Sequence, residues 1–391
     1  MFKKIYTTLF GILFCLSALQ AQYIYDLPLM HDGEAREYSI FLPQGYQAGM
    51  ELPLVLNLHG LGSNGIQQTL YTQLANVADT ANFIIVTPEG LVGTLGTGES
   101  STHWNSYFGT GVDDLGFLNL LIDKMYTDYN VDLSRVYSTG MSNGGFMSYR
   151  LACELSDRIT AIASITGSVL NQQLDNCTPS RAVPIMEVHG TSDEIVPFEG
   201  VPLFGPSIPD LIDFWVDYNN CDSPADTIQL ADINTDDMST VDLLKYENGD
   251  GGAKVWFYIV ENGGHTWPGA AIDLPDNVTN RDFSASVHVW DFFKQFVHPN
   301  PAEGTLVNNE NVLLENIKVI ANATTQELII SSNNDDIEKI QLWDMLGRNV
   351  FNYKSSTLQN SFREEMSNLQ TGIYVVTVET TQGIFTQKVF F

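Results

Sequence analysis

The 391-residue sequence predicts an α/β protein with a mostly parallel sheet covered by helices, followed by a small all-β sandwich-like domain. From about Tyr23 to Val297, short β-branched runs alternate with helical patterns, the signature of a parallel sheet whose crossovers are helices. From Pro299 to Asn311 the period is lost in PNPAEGTLVNNEN. After it, only short alternating runs separated by turn residues remain.

The strands are expected at Tyr38–Leu42, Leu54–Leu58, Phe83–Thr87, Val136–Thr139, Ile162–Ile165, Ile185–His189 and Val255–Val260. Apolar runs of this length, bounded by Gly, Pro, Asn and Asp, fit buried parallel strands better than helices. Helices are expected at Asp114–Tyr129, Asn143–Ser156, Asp210–Tyr218 and Ser284–Phe296, with Asp113 and Asp114 as N-terminal acids of the first. In the second domain the runs Ile317–Ile320, Glu327–Ile330, Ile340–Trp343 and Tyr374–Val378 are its strands. The boundaries follow: residues 1–21 a signal peptide, 22–298 the α/β domain, 299–311 a linker and 312–391 the C-terminal domain.

The signal peptide rests on Lys3 and Lys4, the apolar run Leu9–Leu19 and the Ala18-Leu19-Gln20-Ala21 end. That run falls short of the roughly 20 residues of a spanning helix, and no later segment is long and apolar enough, so no membrane span is expected after cleavage. The protein is therefore expected to be exported. The composition, 44% hydrophobic and 17% charged, is that of a globular chain. A net charge of −29 with no basic patch argues against nucleic acid as a partner and disfavours polyanions. Of the four cysteines, Cys15 leaves with the signal, and Cys153, Cys177 and Cys221 allow one disulfide whose pair the sequence does not choose. None lies near a histidine in a ligand-like spacing, so no metal and no cofactor are expected.

The chemistry centres on Gly140-Met141-Ser142-Asn143-Gly144, directly after one strand and directly before a helix. This is the G-x-S-x-G elbow of the α/β-hydrolase fold, in which small flanking residues let a tight turn raise a serine hydroxyl above the sheet. Ser142 is the expected nucleophile. It needs a base, and in this fold the acid and then the histidine follow the serine. His265, in the glycine-rich loop Asn262–Gly269 past the strand Val255–Val260, is preferred over His189, His288 and His298, which read as strand end, helix and linker border. Asp193, past the strand Ile185–His189, is the expected acid, with Glu194 its neighbouring rival and Asp175 and Asp210 more distant ones. An oxyanion hole is expected from the backbone N–H groups of Asn143 and Leu61, the latter in His59-Gly60-Leu61-Gly62. Trp104, in the unperiodic stretch Leu91–Val112, and Trp267, two residues past the histidine, are candidate substrate-binding aromatics, though packing explains either equally well.

Taken together, Leu58-His59-Gly60, Val112-Asp113-Asp114 with Gly116-Phe117, the elbow with Gly145, His189-Gly190-Thr191 with Asp193, Gly264–Gly269 and Trp290–Phe293 resemble the polyhydroxybutyrate depolymerase-like esterases, related to the feruloyl and acetylxylan esterases of carbohydrate esterase family one. The resemblance covers about Tyr38–Val297. It implies the same triad and an ester substrate, polymeric in character: feruloyl or acetyl groups on plant polysaccharide, or a polyester. A peptidase or lipase of the same fold, and an inactive surface-binding protein, are the alternatives. Leu342–Arg348, Leu369–Val376 and the terminal Gln387–Phe391 resemble the C-terminal sorting domains of the Por (type IX) secretion system, which implies the secretion machinery as partner and a final place outside the cell or on its surface, reached through the periplasm. The usual Pro-Asn-Pro at the domain start is replaced by Ile320-Ala321-Asn322-Ala323, with Pro299-Asn300-Pro301 lying earlier. A carbohydrate-binding β-sandwich is the alternative for this domain.

Overall fold

A computed structural model of the chain describes residues 21–391 except 95–99, 107–110, 276, 305–316, 323–325, 333–335, 345–347, 356, 358, 371 and 382. Residues 1–20 of the expected signal peptide, most of the linker, and Tyr107 and Phe108 of the 91–112 stretch thus lie outside the described residues.

In the first part of the chain the strands are β1 (Gln22–His31), β2 (Glu34–Leu42), β3 (Leu52–Leu58), β4 (Ile84–Pro88), β5 (Leu91–Thr94), β6 (Ser100–His103), β7 (Val131–Met141), β8 (Ala161–Ile165), β9 (Ile185–Gly190), β10 (Asp226–Gln229), β11 (Thr240–Tyr246) and β12 (Val255–Glu261). The helices are α1 (Gly65–Thr72), α2 (Leu74–Ala81), α3 (Asp114–Tyr129), α4 (Asn143–Glu154), α5 (Asn171–Asp175), α6 (Ile208–Tyr218) and α7 (Ala285–Phe293). All strands but β5 and β6 join one ten-stranded sheet in the order β1-β2-β4-β3-β7-β8-β9-β12-β11-β10. The central strands β4, β3, β7, β8, β9 and β12 are parallel, and antiparallel pairs flank them on both sides.

Every residue of β3, β8 and β9 is buried, as expected where helices cover both faces of a parallel sheet. Leu54, Leu56 and Leu58 of β3 pack in one cluster with Leu118 and Leu121 of α3, Leu151 of α4 and Ile212 and Trp215 of α6. Val55, one residue out of step, packs in the other with Leu74 and Ala78 of α2 and Val289, Phe292 and Phe293 of α7. A disulfide joins Cys153 of α4 to Cys177 just past α5, leaving Cys221 as the half-buried thiol.

The expected strands and helices agree with the structure to within a few residues at their ends. The reading overlooked β1, α1, α2, α5, β10 and β11. Among these, β10 is fully exposed along its length, and α5 has five residues, too short for a clear period. The stretch 91–112 read as unperiodic, yet it opens with a hairpin, β5 paired antiparallel with β6. Four-residue strands rich in Gly, Ser and Thr carry no apolar alternation to detect.

The last residues before the undescribed stretch are not a free tether. The His298 N–H donates to the Ser134 carbonyl (2.8 Å) and the Ala302 N–H to the Asp157 carbonyl (2.9 Å). In the C-terminal part, β13 (Ile317–Asn322), β14 (Glu327–Ser332), β15 (Ile337–Asp344), β16 (Asn349–Lys354), β17 (Ser361–Glu365), β18 (Ile373–Thr380) and β19 (Gly383–Phe390) form two antiparallel sheets, β13-β14-β17 and β16-β15-β18-β19. Leu328, Ile330, Ile340, Leu342, Phe362 and Val376 share one core between them. No helix among the described residues is long and apolar enough to cross a membrane.

Candidate active site

Ser142 stands between β7 and α4 at φ 54° and ψ −120°, a backbone conformation that L-residues seldom adopt. Two bonds hold it there: its N–H donates to the Ile165 carbonyl at the end of β8 (2.9 Å), and its carbonyl accepts from the Phe146 N–H (3.0 Å). The flanking glycines are required by space. A Cβ on Gly140 would lie 2.6 Å from the Gly144 carbonyl carbon, and one on Gly144 would lie 2.2 Å from the Leu58 carbonyl oxygen. The elbow therefore nests directly against the end of β3.

Asp193 follows β9 and His265 follows β12, so these two residues and Ser142 all leave the carboxyl ends of parallel strands. His265 Nδ1 lies 2.7 Å from Asp193 Oδ2, which leaves Nε2 as the nitrogen that can take a proton. The other carboxylate oxygen, Oδ1, accepts from the Ile195 and Val196 N–H groups (2.9 and 2.8 Å), so the acid is locked into its own turn. The His265 N–H donates to Asn277 Oδ1 (2.8 Å). Both residues are buried. No such pairing to the histidine is made by the rivals Glu194, Asp175 and Asp210 among the described hydrogen bonds.

Asn143 is the first residue of α4, so its N–H has no acceptor within the helix. Its side chain clamps the loop after β6: Oδ1 accepts from the Trp104 N–H (2.7 Å), and Nδ2 donates to the Trp104 carbonyl (3.1 Å) and Ser106 Oγ (2.9 Å). Leu61 is half exposed and lies on the turn after β3, where the Gly62 N–H donates to the Thr102 carbonyl (2.8 Å). The turn is braced by His59, whose Nδ1 donates to the Gly60 carbonyl (2.8 Å) and whose Nε2 accepts from the Gly90 N–H (2.9 Å). Burial, outweighing the bond to Gly60, pushes His59 down to about 4.

Ser142, Asn143 and Leu61 open together into one cavity of about 590 Å³. Its remaining wall is almost wholly apolar: Phe146, Val169, Leu170, Ile195–Pro197, Val201, Phe204 and Pro206, with His103 and Ser168 as polar members and no charged side chain. The sequence reading missed this wall. Its signal was present in Ile195-Val196-Pro197-Phe198 and Val201-Pro202-Leu203-Phe204, apolar residues in a loop where solvent exposure normally selects polar ones.

The two tryptophans proposed to face substrate do not. Trp104 is fully buried, its Nε1 donating to the His59 carbonyl (3.0 Å), and Trp267 is buried with Nε1 on Ser286 Oγ (3.1 Å). Neither lines the cavity. An indole in a packed interior needs a partner for its N–H, and both have found one in the scaffold. Asp113 does cap α3, its Oδ1 accepting from the Gly116 N–H (2.9 Å). Asp114 does more than acidify the helix start: Oδ1 pairs with buried Arg36 (2.6 Å) and Oδ2 accepts from the Asn105 N–H (2.6 Å), which ties the 104–106 loop to β2 and α3. Among the described residues no group of three or more His, Cys, Asp or Glu is placed to hold a metal ion.

A parallel sheet with a serine elbow at one strand end, and an aspartate–histidine pair after two neighbouring strands, defines the α/β-hydrolase class. Residues 47–211 match the Phospholipase/Carboxylesterase family, and residues 318–391 match the Secretion system C-terminal sorting domain. The chain thus has the α/β-hydrolase fold, is similar over residues 47–211 to that carboxylesterase family, and carries a C-terminal region that matches the sorting domain, which marks it as secreted or cell-surface. It is 27% identical over 273 residues to a bifunctional acetylxylan esterase/xylanase of Neocallimastix patriciarum, covering 70% of this chain and 35% of that protein. It is 26% identical over 275 residues to feruloyl esterase B of Piromyces equi, covering 68% and 46%. To feruloyl esterase D of Neurospora crassa it is 28% identical over 178 residues, covering 42% and 56%. The chain spans less than half the length of the first two relatives.

Proposed function

We propose that the chain is a secreted serine esterase that cleaves carboxylic esters with an apolar acyl group, carried on a polymer such as a feruloylated plant polysaccharide or a hydroxyalkanoate polyester. The observation that carries this reading is the 2.7 Å pair of His265 Nδ1 and Asp193 Oδ2 past the ends of β12 and β9, together with a serine that is held at positive φ at the end of β7 and lines an apolar cavity. In the first half-reaction His265 Nε2 takes the Ser142 hydroxyl proton as Oγ attacks the ester carbonyl carbon. The resulting oxyanion is stabilised by the N–H groups of Asn143 and Leu61. Collapse expels the alcohol, which leaves with the proton from His265. Water then attacks the acyl-serine by the same route, releasing the acid and restoring Ser142.

The cavity supports assigning its contents to the acyl side. The departing alcohol must receive its proton from His265, so it leaves on the His265 side, whereas the cavity is lined by Ser142, Asn143 and Leu61 and not by His265. An acetyl group would fill little of about 590 Å³, which favours an aryl or longer aliphatic acyl group. The names of the relatives, feruloyl esterase and acetylxylan esterase, agree with an ester attached to polysaccharide.

The test is a series of p-nitrophenyl esters and methyl ferulate with wild-type enzyme and Ser142→Ala. Wild type should prefer butyrate or ferulate to acetate by kcat/KM and be labelled by a fluorophosphonate. Ser142→Ala should fold normally, escape labelling and lose about a thousandfold or more in turnover. Retention of a tenth of the activity by that variant would exclude Ser142 as nucleophile, and a preference for acetate would exclude the apolar acyl group.

A further inference from the structure

Behind the aspartate lies a second histidine that the ester chemistry above does not use. His189, the penultimate residue of β9, is fully buried, and so is Glu187 two residues earlier on the same strand. His189 Nδ1 is 2.9 Å from Glu187 Oε1. On the far side of the ring, Nε2 is 2.8 Å from the Val196 carbonyl and 3.5 Å from Asp193 Oδ2, the same oxygen that receives His265 Nδ1. Glu187 Oε2 accepts from the Tyr149 hydroxyl of α4 (2.9 Å). The row therefore runs Tyr149, Glu187, His189, Asp193, His265, from the helix that begins at the nucleophile to the base itself.

The hydrogen count in this row is constrained. The Val196 carbonyl can only accept, so Nε2 of His189 carries a hydrogen. The Tyr149 hydroxyl donates to one oxygen of Glu187, because burial beside Glu187 holds its pKa well above the usual tyrosine range. One further proton lies between Nδ1 and Oε1. With it on nitrogen, His189 is an imidazolium. Burial alone would disfavour that charge, but the hydrogen bond and charge of Glu187, with Asp193 and the Val196 carbonyl, hold His189 above the ordinary histidine value. The remaining neighbours bring no charge: β12 sets Ile259 opposite His189, β8 sets Ser164 opposite Glu187, and the Phe198 ring lies edge-on at 6.2 Å.

We propose that His189 is a positioning residue for Asp193: it pins the Asp193–Val196 turn through the Val196 carbonyl and sets a buried positive charge behind the carboxylate that orients His265. This inference rests on the reading of Ser142, His265 and Asp193 as the reacting set. The charge weakens the hold of Asp193 on a protonated His265, and so keeps that histidine free to act as base at lower pH. Glu187 carries the compensating negative charge one ring further from His265, where its influence is smaller.

The test compares wild type with Glu187→Gln, which preserves the hydrogen bonds of the row but leaves His189 neutral. Without the positive charge Asp193 holds the His265 proton more tightly, so the acid limb of the kcat/KM profile should move up by about half to one pH unit. We expect kcat at pH 6 to fall about threefold to at most tenfold while KM stays within about twofold of wild type. An unchanged profile and kcat in a folded Glu187→Gln would reduce the row to packing and overturn the proposal. Independently of any variant, ¹⁵N NMR of the wild-type imidazoles should show both His189 nitrogens protonated at pH 7, and a neutral His189 there would overturn it even if Glu187→Gln does not fold. If wild type hydrolyses no ester at all, the assignment of the site fails, while the NMR measurement still reports the charge on His189.

Discussion

His59 shows how one buried side chain can tie stability to pH. Its two nitrogens are committed, Nδ1 as donor to Gly60 and Nε2 as acceptor from Gly90, so a second proton would have to displace the Gly90 N–H. The folded protein binds that proton only near pH 4, whereas the unfolded chain binds it at the ordinary histidine value of 6.5. Between those values the unfolded state holds more protons, so stability rises with pH across the window and is lost as pH falls through it. The loss from this one residue should reach about 3 kcal/mol by pH 4. Denaturant unfolding at several pH values should show a flatter pH dependence for His59→Gln, whose amide oxygen can still accept from Gly90. Equal slopes in the two proteins would mean that His59 is not the group responsible. The same scale separates the two acidic neighbours past β9. Asp193→Asn should cut turnover by several orders of magnitude by favouring the wrong tautomer of His265, and Glu194→Gln should change it little.

The elements matter through the way their ends meet. The β7–α4 elbow is usable because Gly144 lets α4 start in contact with the Leu58 and His59 carbonyls at the end of β3. Gly144→Ala would place a methyl 2.2 Å from the Leu58 oxygen, a backbone atom that cannot move without shifting the turn bearing Leu61. We expect a loss of at least about 2 kcal/mol in urea unfolding, with turnover falling further than stability does, because the proposed nucleophile and a proposed oxyanion donor both ride on that contact. A variant as stable and active as wild type would refute the close nesting of the two strand ends. Most of these elements were legible in the sequence: β3, β8 and β9 are short apolar runs bounded by turn residues, and α3 is a long segment opened by the capping Asp113. The β5–β6 hairpin was not legible, because it is held by backbone pairing and by the Asn143 and Asp114 side chains beyond it rather than by an apolar face of its own.

For the whole molecule, the two family matches fall on separate stretches, residues 47–211 and residues 318–391. All the residues proposed for catalysis precede His298, and the chain remains bonded to the hydrolase through Ala302. A protein ending after Gly304 should therefore keep its turnover on a small soluble ester. The same truncation in a host with the secretion system should retain the protein in the periplasm. If truncated protein is exported normally but acts poorly on insoluble polymer alone, the C-terminal part binds substrate and does not direct export.

The sequence by itself determined the α/β class, the elbow at Ser142 and the order of serine, acid and histidine, because tight turns and strand periods are local and leave a mark in neighbouring residues. Only the tertiary structure decided which aspartate meets His265, which cysteines join, and that Trp104 and Trp267 serve the scaffold while Phe146, Val169 and Phe204 wall the cavity. The row through Glu187 and His189 was equally out of reach. Each of these depends on residues far apart in the chain meeting in space, and the distances among them are set by packing that no local pattern encodes.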